Sequence, residues 1–135
     1  DLLSDHEAIG REEVDQHRGR WVKSTGDGAL ATFDGLARAI RCGQRIIERM
    51  GLLGVDLRAG VHTGECEELD DDIGGIGVHV AARVLDHARG GEVLVSDTVP
   101  SLVAGSGLVF EDRGEHELKG ISGSRKLFAV SAGGS

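Results

Sequence analysis

The stretch Val22-Lys23-Ser24-Thr25-Gly26-Asp27-Gly28-Ala29-Leu30-Ala31-Thr32-Phe33 constrains the fold most, because it reads as two short strands joined by a tight turn. Gly26-Asp27-Gly28 sets a carboxylate between two residues that tolerate positive φ, so the backbone folds back while the acid points out of the hairpin. Ala29, Ala31 and Phe33 alternate with Leu30 and Thr32, the period of a strand whose two faces meet different surroundings. Asp-Gly is a common hairpin turn, and a lysine such as Lys23 near an acid ordinarily has no chemical role. A second stretch gives the turn more weight. Residues 72–83 carry an acid, Asp72, then a glycine-rich segment, then a helix that exposes His79 and Arg83 at i, i+4 on one face.

The remaining pattern supplies helices and strands in irregular alternation. Residues 1–19 are charged, with Leu2, Leu3, Ala8, Ile9 and Val14 as sparse apolar positions, and read as the second half of a helix ended by Gly19. Leu36, Ala39, Ile40, Gly43, Ile46, Ile47 and Met50 recur at helical spacing, predicting a core-covering helix stopped at Gly51. Its other face carries Arg38, Arg41, Arg45, Glu48 and Arg49, which reads as a solvated face rather than a basic patch. Alternation over residues 55–61 predicts a strand, and His62-Thr63-Gly64-Glu65 turns the chain into a return segment through Leu69. His62 reads as structural. Asp70-Asp71-Asp72 resembles a cation-binding cluster, although three acids in a loop are ordinarily just solvated.

A helix over residues 76–88 is predicted to turn Ile76, Val80, Val84 and Ala88 inward. A short buried strand follows at 92–95, then a short helix capped from Ser96, Asp97 or Thr98, then closing strands at 108–118 and 126–130 with Lys119-Gly120 opening the loop between them. The fold class this predicts is α+β, a ferredoxin-like sandwich with helices on one face of a mainly antiparallel sheet.

Composition bounds the function. With 135 residues and a 39% apolar share, the chain holds one core, so residues 1–135 read as one domain. A formal net charge of -8 repels phosphate backbones, which argues against a nucleic-acid partner and requires any phosphate to be met by local cations. No apolar run approaches bilayer-spanning length, and no leader pattern opens the chain. Cys42 and Cys66 lack metal-site spacing; they are able to pair, but two isolated thiols fit a reducing, cytoplasmic setting better than a secreted scaffold.

The polar set singled out is Lys23, Asp27, Asp72, His79, Arg83 and Lys119. A carboxylate at a tight turn suits Mg²⁺, which takes one or two acidic ligands and leaves other positions to water and phosphate oxygens. An arginine and a lysine suit phosphate. A lysine with an acid complements adenine, whose N1 accepts and whose N6 donates; guanine presents the reverse.

Four segments together, Lys23-Ser24-Thr25-Gly26-Asp27-Gly28, Arg58-Ala59-Gly60-Val61-His62-Thr63-Gly64, residues 72–83 and Glu117-Leu118-Lys119-Gly120, resemble the class III nucleotidyl cyclase catalytic domain, in that order and over nearly the whole chain. The resemblance implies an adenylate cyclase that converts ATP to 3′,5′-cyclic AMP and pyrophosphate, the ribose 3′-oxygen attacking the α-phosphate with two Mg²⁺ or Mn²⁺ ions assisting. It implies Asp27 as a metal ligand, Lys23 and Asp72 as the adenine-selecting pair, and Ile73 as a residue whose backbone lines the base pocket. Arg83 matches the transition-state arginine and Lys119 the lysine of the terminal phosphates. Where many members carry asparagine this chain has His79, which still donates a hydrogen bond to ribose or phosphate, subject to pH and tautomer.

The resemblance further implies a head-to-tail homodimer, with metal ligands from one subunit and base, arginine and lysine contacts from the other. The family's first metal-binding aspartate lies in an opening strand before the first helix. No such strand precedes this first helix, and Asp1 and Asp5 lie in a helical context, so the expectation is a catalytic domain without its opening strand. With one metal carboxylate missing, the expectation is that this stretch binds metal poorly and is inactive by itself. The alternative reading is a non-catalytic nucleotide-binding or regulatory domain that dimerises like a cyclase, and a regulatory domain outside these residues is compatible with either.

Overall fold

Four strands drawn from residues 59–130 form the main sheet of the computed structural model, which describes residues 2–25, 28–69 and 72–131. Helix α1 (Leu2–Gln16) leads into the hairpin β1 (Gly19–Thr25) and β2 (Gly28–Phe33), followed by α2 (Leu36–Leu52) and β3 (Ala59–Val61). A small hairpin, β4 (Glu67–Leu69) and β5 (Asp72–Gly74), precedes α3 (Ile76–Asp86); then come β6 (Val93–Ser96), α4 (Val99–Leu102), β7 (Phe110–Glu117) and β8 (Ser124–Val130). The main sheet runs β3-β6-β8-β7, with β3 parallel to β6 and the other two pairings antiparallel.

The α+β class on a mainly antiparallel sheet is the one expected, but the helices cover both faces rather than one. Strand β6 explains why, since all four of its residues are buried and successive side chains leave a strand on opposite sides. Leu94 packs with Val80, Val84 and Ala88 of the α3 segment, together with Leu118, Leu127 and Ala129. Val93 and Val95 instead join Ile40 of α2 with Val99 and Val103. The same alternation holds in β3, where Ala59 faces Gly43 of α2 while Gly60 faces α3 so closely that a Cβ there would lie 2.7 Å from the Leu85 backbone nitrogen. Only glycine admits that approach.

Several boundaries differ from expectation for identifiable reasons. Helix α1 ends at Gln16, and Gly19 begins β1 opposite Phe33 instead of closing a helix. Helix α2 continues through Gly51 to Leu52, and Gly54, at φ 79°, takes the left-handed turn after it. Strand β3 is limited to three residues because its partner β6 is short. Ile76, expected inward, is 57% exposed at the first turn of α3, before the helix meets the sheet. The basic face of α2 is not uniformly solvated: Arg49 Nη1 donates to Glu13 Oε2 at 2.8 Å and to Glu12 Oε1 at 3.2 Å, and Glu13 is buried. These ion pairs tie α1 to α2, so two charged segments that look independent in sequence share one interface. Cys42 is buried and Cys66 exposed, both as free thiols. No helix among the described residues is long and apolar enough to cross a membrane.

Candidate active site

The hairpin β1–β2 and strand β5 meet through one polar contact. Lys23 lies on β1 just after an irregularity in the ladder between Trp21 and Lys23, and pairs across the hairpin with Leu30. From there its Nζ donates to Asp72 Oδ2 at 2.9 Å, across 49 residues of sequence, with each side chain 45% exposed. The other carboxylate oxygen, Oδ1, accepts from the Ile73 N–H at 2.7 Å. The Lys23 hydrogen bond first, and the Ile73 N–H second, hold the Asp72 carboxyl below the usual carboxylate range. Asp72 therefore remains an ionised, acceptor-only group beside a three-donor ammonium, and both reach solvent on one side. A flat molecule with an acceptor and a donor on adjacent edge atoms meets complementary partners there.

Ile73 anchors this arrangement by burying its side chain, which leaves β5 little freedom to shift register. Asp72 thus belongs to a strand of a small hairpin. The sequence pattern instead suggested an acid ahead of a glycine-rich loop, because three residues are too few to display a strand period.

A second polar group forms where α3 passes the turn between β7 and β8. Leu118 is buried with Val80 and Val84, which seats the turn, and leaves Lys119 exposed beyond it. Gly120, at φ 82°, brings the backbone so close to α3 that a Cβ would lie 2.9 Å from His79 Nε2. His79 and Lys119 are therefore neighbours across this turn. Glu117, Leu118, Lys119, Gly120, Ile121 and Gly123 line an open hollow of about 460 Å³. Arg83, one turn after His79, donates from Nη1 to Asp86 Oδ2 at 2.9 Å, while its buried Nε has no partner among the described residues. The i, i+3 spacing of Arg83 and Asp86 was the signal available for that pairing.

Of the residues singled out from sequence, Lys23, Asp72 and Ile73 come together at one place, and His79, Arg83 and Lys119 gather around α3 and the β7–β8 turn. Asp27, the proposed metal ligand, lies outside the described residues, as do Asp70 and Asp71 of the acidic run. Among the described residues, no three His, Cys, Asp or Glu side chains gather to hold an ion. His62, read as structural, has Nδ1 2.6 Å from the buried Ser96 Oγ.

A mixed sheet covered on both faces, with a lysine–aspartate pair beside a helix carrying histidine and arginine, corresponds to a family whose model matches residues 1–132: the adenylate and guanylate cyclase catalytic domain. The chain belongs to that family. It is similar to Putative adenylate cyclase 3 of Rhizobium meliloti, being 37% identical over 114 residues that cover 78% of this chain and 19% of that protein. It thus spans about a fifth of that relative's length. Among solved structures, the adenylate/guanylate cyclase/hydrolase from Silicibacter pomeroyi superposes with a TM-score of 0.83 at 30% identity, over 96% of this chain and 85% of that one. The adenylyl cyclase CyaB from P. aeruginosa shares the fold with a TM-score of 0.84 at 23% identity, over 97% and 81% of the two chains.

Proposed function

We propose that this chain is the catalytic domain of an adenylate cyclase that works as a homodimer, turning ATP into 3′,5′-cyclic AMP and pyrophosphate. The observation that carries the choice of ATP is the 2.9 Å contact between Lys23 Nζ and Asp72 Oδ2. With that spacing, the ammonium donates to adenine N1 while the carboxylate accepts from N6. Ile73 lends backbone to the same pocket. Guanine, with a carbonyl at the exocyclic position, would set an acceptor against the ionised Asp72.

Around the phosphates, Arg83 meets charge developing on the α-phosphate as the O3′–Pα bond forms and the bond from Pα to the pyrophosphate oxygen breaks. Its planar guanidinium carries five N–H donors, of which Nη1 gives one to Asp86. Lys119 holds the terminal phosphates, and His79 donates to ribose or phosphate from its place against Gly120. Mg²⁺ or Mn²⁺ suits Asp27, a hard oxygen donor at a turn, and when bound supplies electrostatic stabilisation of the attacking and departing oxygens. In the proposed dimer, Asp27 of one copy faces the base, arginine and lysine groups of the other.

The test is product formation by the natural full-length protein, with ATP or GTP and with Mg²⁺ or Mn²⁺. Cyclic AMP formed in preference to cyclic GMP supports the proposal. Preferential turnover of GTP overturns the base assignment, and nucleotide binding without turnover of either substrate favours the regulatory, non-catalytic alternative.

A further inference from the structure

His62 lies at the C-terminal end of β3, and Ser96 closes the neighbouring parallel strand β6, where Val61 pairs with Val95. The next residues along each strand therefore come side by side, and His62 Nδ1 sits 2.6 Å from Ser96 Oγ. Ser96 is completely buried, so its hydroxyl has to find its partner within the protein. The charged groups whose fields reach this ring are Arg125 of β8 and Asp97, which pair with each other at 3.6 Å.

The imidazole also shapes the chain that follows it. A Cβ at Gly64 would lie 2.8 Å from His62 Nε2, so the backbone turns tightly against the ring. The next residues then seat the N-terminus of α3, where Gly77 N–H donates to Glu65 O at 2.9 Å. A Cβ at Gly77 would come within 2.7 Å of that oxygen and 2.9 Å of Cys66 Sγ. Strand β4 leaves this same connection and pairs with β5, Leu69 opposite Asp72 and Glu67 opposite Gly74. The strand that carries Asp72 is thus held on one side by β4 and on the other by α3, and both are set by the connection packed on His62.

We infer that His62 is a positioning residue for base recognition: bonded to Ser96, its ring fixes the connection 62–66, and through it the place of Asp72 opposite Lys23. The inference rests on the reading of Lys23 and Asp72 as the base-reading pair. Burial pushes His62 below its ordinary range, Arg125 adds to that, and Asp97 opposes it, so the ring is neutral at pH 7. A neutral ring keeps one N–H and one bare nitrogen, so Nδ1 pairs with the Ser96 hydroxyl as acceptor or as donor according to the tautomer, and Nε2 faces Gly64 in either case.

The test compares His62→Ala, His62→Asn and Ser96→Ala in the natural full-length protein. Asparagine keeps a polar group near the position of Nδ1 and is the rescue arm. The expected result for His62→Ala is a rise in KM for ATP of roughly five- to tenfold with kcat changed much less, and partial recovery in His62→Asn. Ser96→Ala should raise KM in the same sense. A folded His62→Ala with the parental KM, or with a fall in kcat alone, overturns the inference while leaving the cyclase reading intact. Where His62→Ala does not fold, the same criterion is applied to His62→Asn and Ser96→Ala.

A second measurement separates this inference from the proposed activity. Hydrogen exchange at the amides of Glu67–Leu69 and Asp72–Gly74 should speed up in His62→Ala by more than the accompanying loss of global stability accounts for, whether or not the parent makes cyclic AMP. Unchanged exchange there overturns the positioning role. Absence of cyclic AMP from the parent counts against the function alone.

Discussion

Replacing both charges at the 2.9 Å contact, one by its opposite and one by a neutral donor, is the most informative perturbation of the proposed base pocket. Lys23→Glu with Asp72→Ser puts an acceptor where the ammonium stood and a hydroxyl donor where the carboxylate stood, the complement of guanine N1–H and O6. Both side chains are half exposed, and a pair in that setting adds little to folding, so the double variant should keep its fold and nearly its parental Tm. Recognition is another matter, because a bound base excludes water from the contact. A good hydrogen-bonded base contact changes discrimination by roughly five- to a hundredfold, and two contacts are altered, so the ratio of kcat/KM for ATP over GTP should fall by about two orders of magnitude or more. The assay is steady-state formation of cyclic AMP and cyclic GMP under competition, with circular dichroism and Tm as controls for folding. Each single variant should lose activity toward both nucleotides, since one half of the pair then faces a base with the wrong partner. A folded double variant that retains the parental preference for ATP refutes the assignment.

Three further predictions address the rest of the molecule. Arg83→Lys, which keeps the charge but loses the planar fork, should lower kcat by roughly a hundred- to a thousandfold with KM for ATP within a few-fold, read by initial rates; an equal rise in KM would instead make Arg83 a ground-state binder. Leu127→Ala, at a fully buried position between α3 and the sheet, should destabilise the fold by about 2–5 kcal/mol in urea unfolding, and a change under 1 kcal/mol would show that this packing does not hold α3 in place. His62 has a depressed pKa in the fold, so the unfolded chain takes up the proton first as pH falls: its contribution is complete above the unfolded value of about 6.5 and is lost on acidification through the folded value. The parental stability should therefore drop more steeply below pH 6.5 than that of His62→Asn in matched unfolding titrations.

How much of this was legible beforehand follows from where the local signal is strong. The hairpin before and after Asp27, helix α2 and the apolar stripe of Val80 and Val84 on α3 with Ala88 just beyond its end declare themselves, because glycine turns and apolar periodicity are local properties. The two-sided sheet was less visible. Strand β6 is too short, and too uniformly buried along Val93-Leu94-Val95-Ser96, for its faces to be told apart without knowing that α2 packs on one and α3 on the other. The ion pairs of Arg49 with Glu12 and Glu13 join segments 36 and more residues apart, so a charged helix face looked solvated until its partner was in place. In the site, residue types and order pointed to Lys23, Asp27, Asp72, His79, Arg83 and Lys119, and Ile73 came only from the family resemblance; Asp27 lies outside the described residues, while the strand that fixes Asp72 and the His62–Ser96 contact behind it depend on tertiary register.

The account stands on one site being completed by two copies of this chain, and subunit complementation tests that most directly. Asp27→Ala disables the metal side and Arg83→Ala the phosphate side, so each variant alone should be inactive. Mixed in equal amounts, half of the dimers carry one of each, and in every such dimer one of the two sites has neither substitution. Mixing is therefore expected to restore about a quarter of the parental rate of cyclic AMP formation. A mixture that exchanges subunits freely and remains as inactive as its components would contradict a shared site.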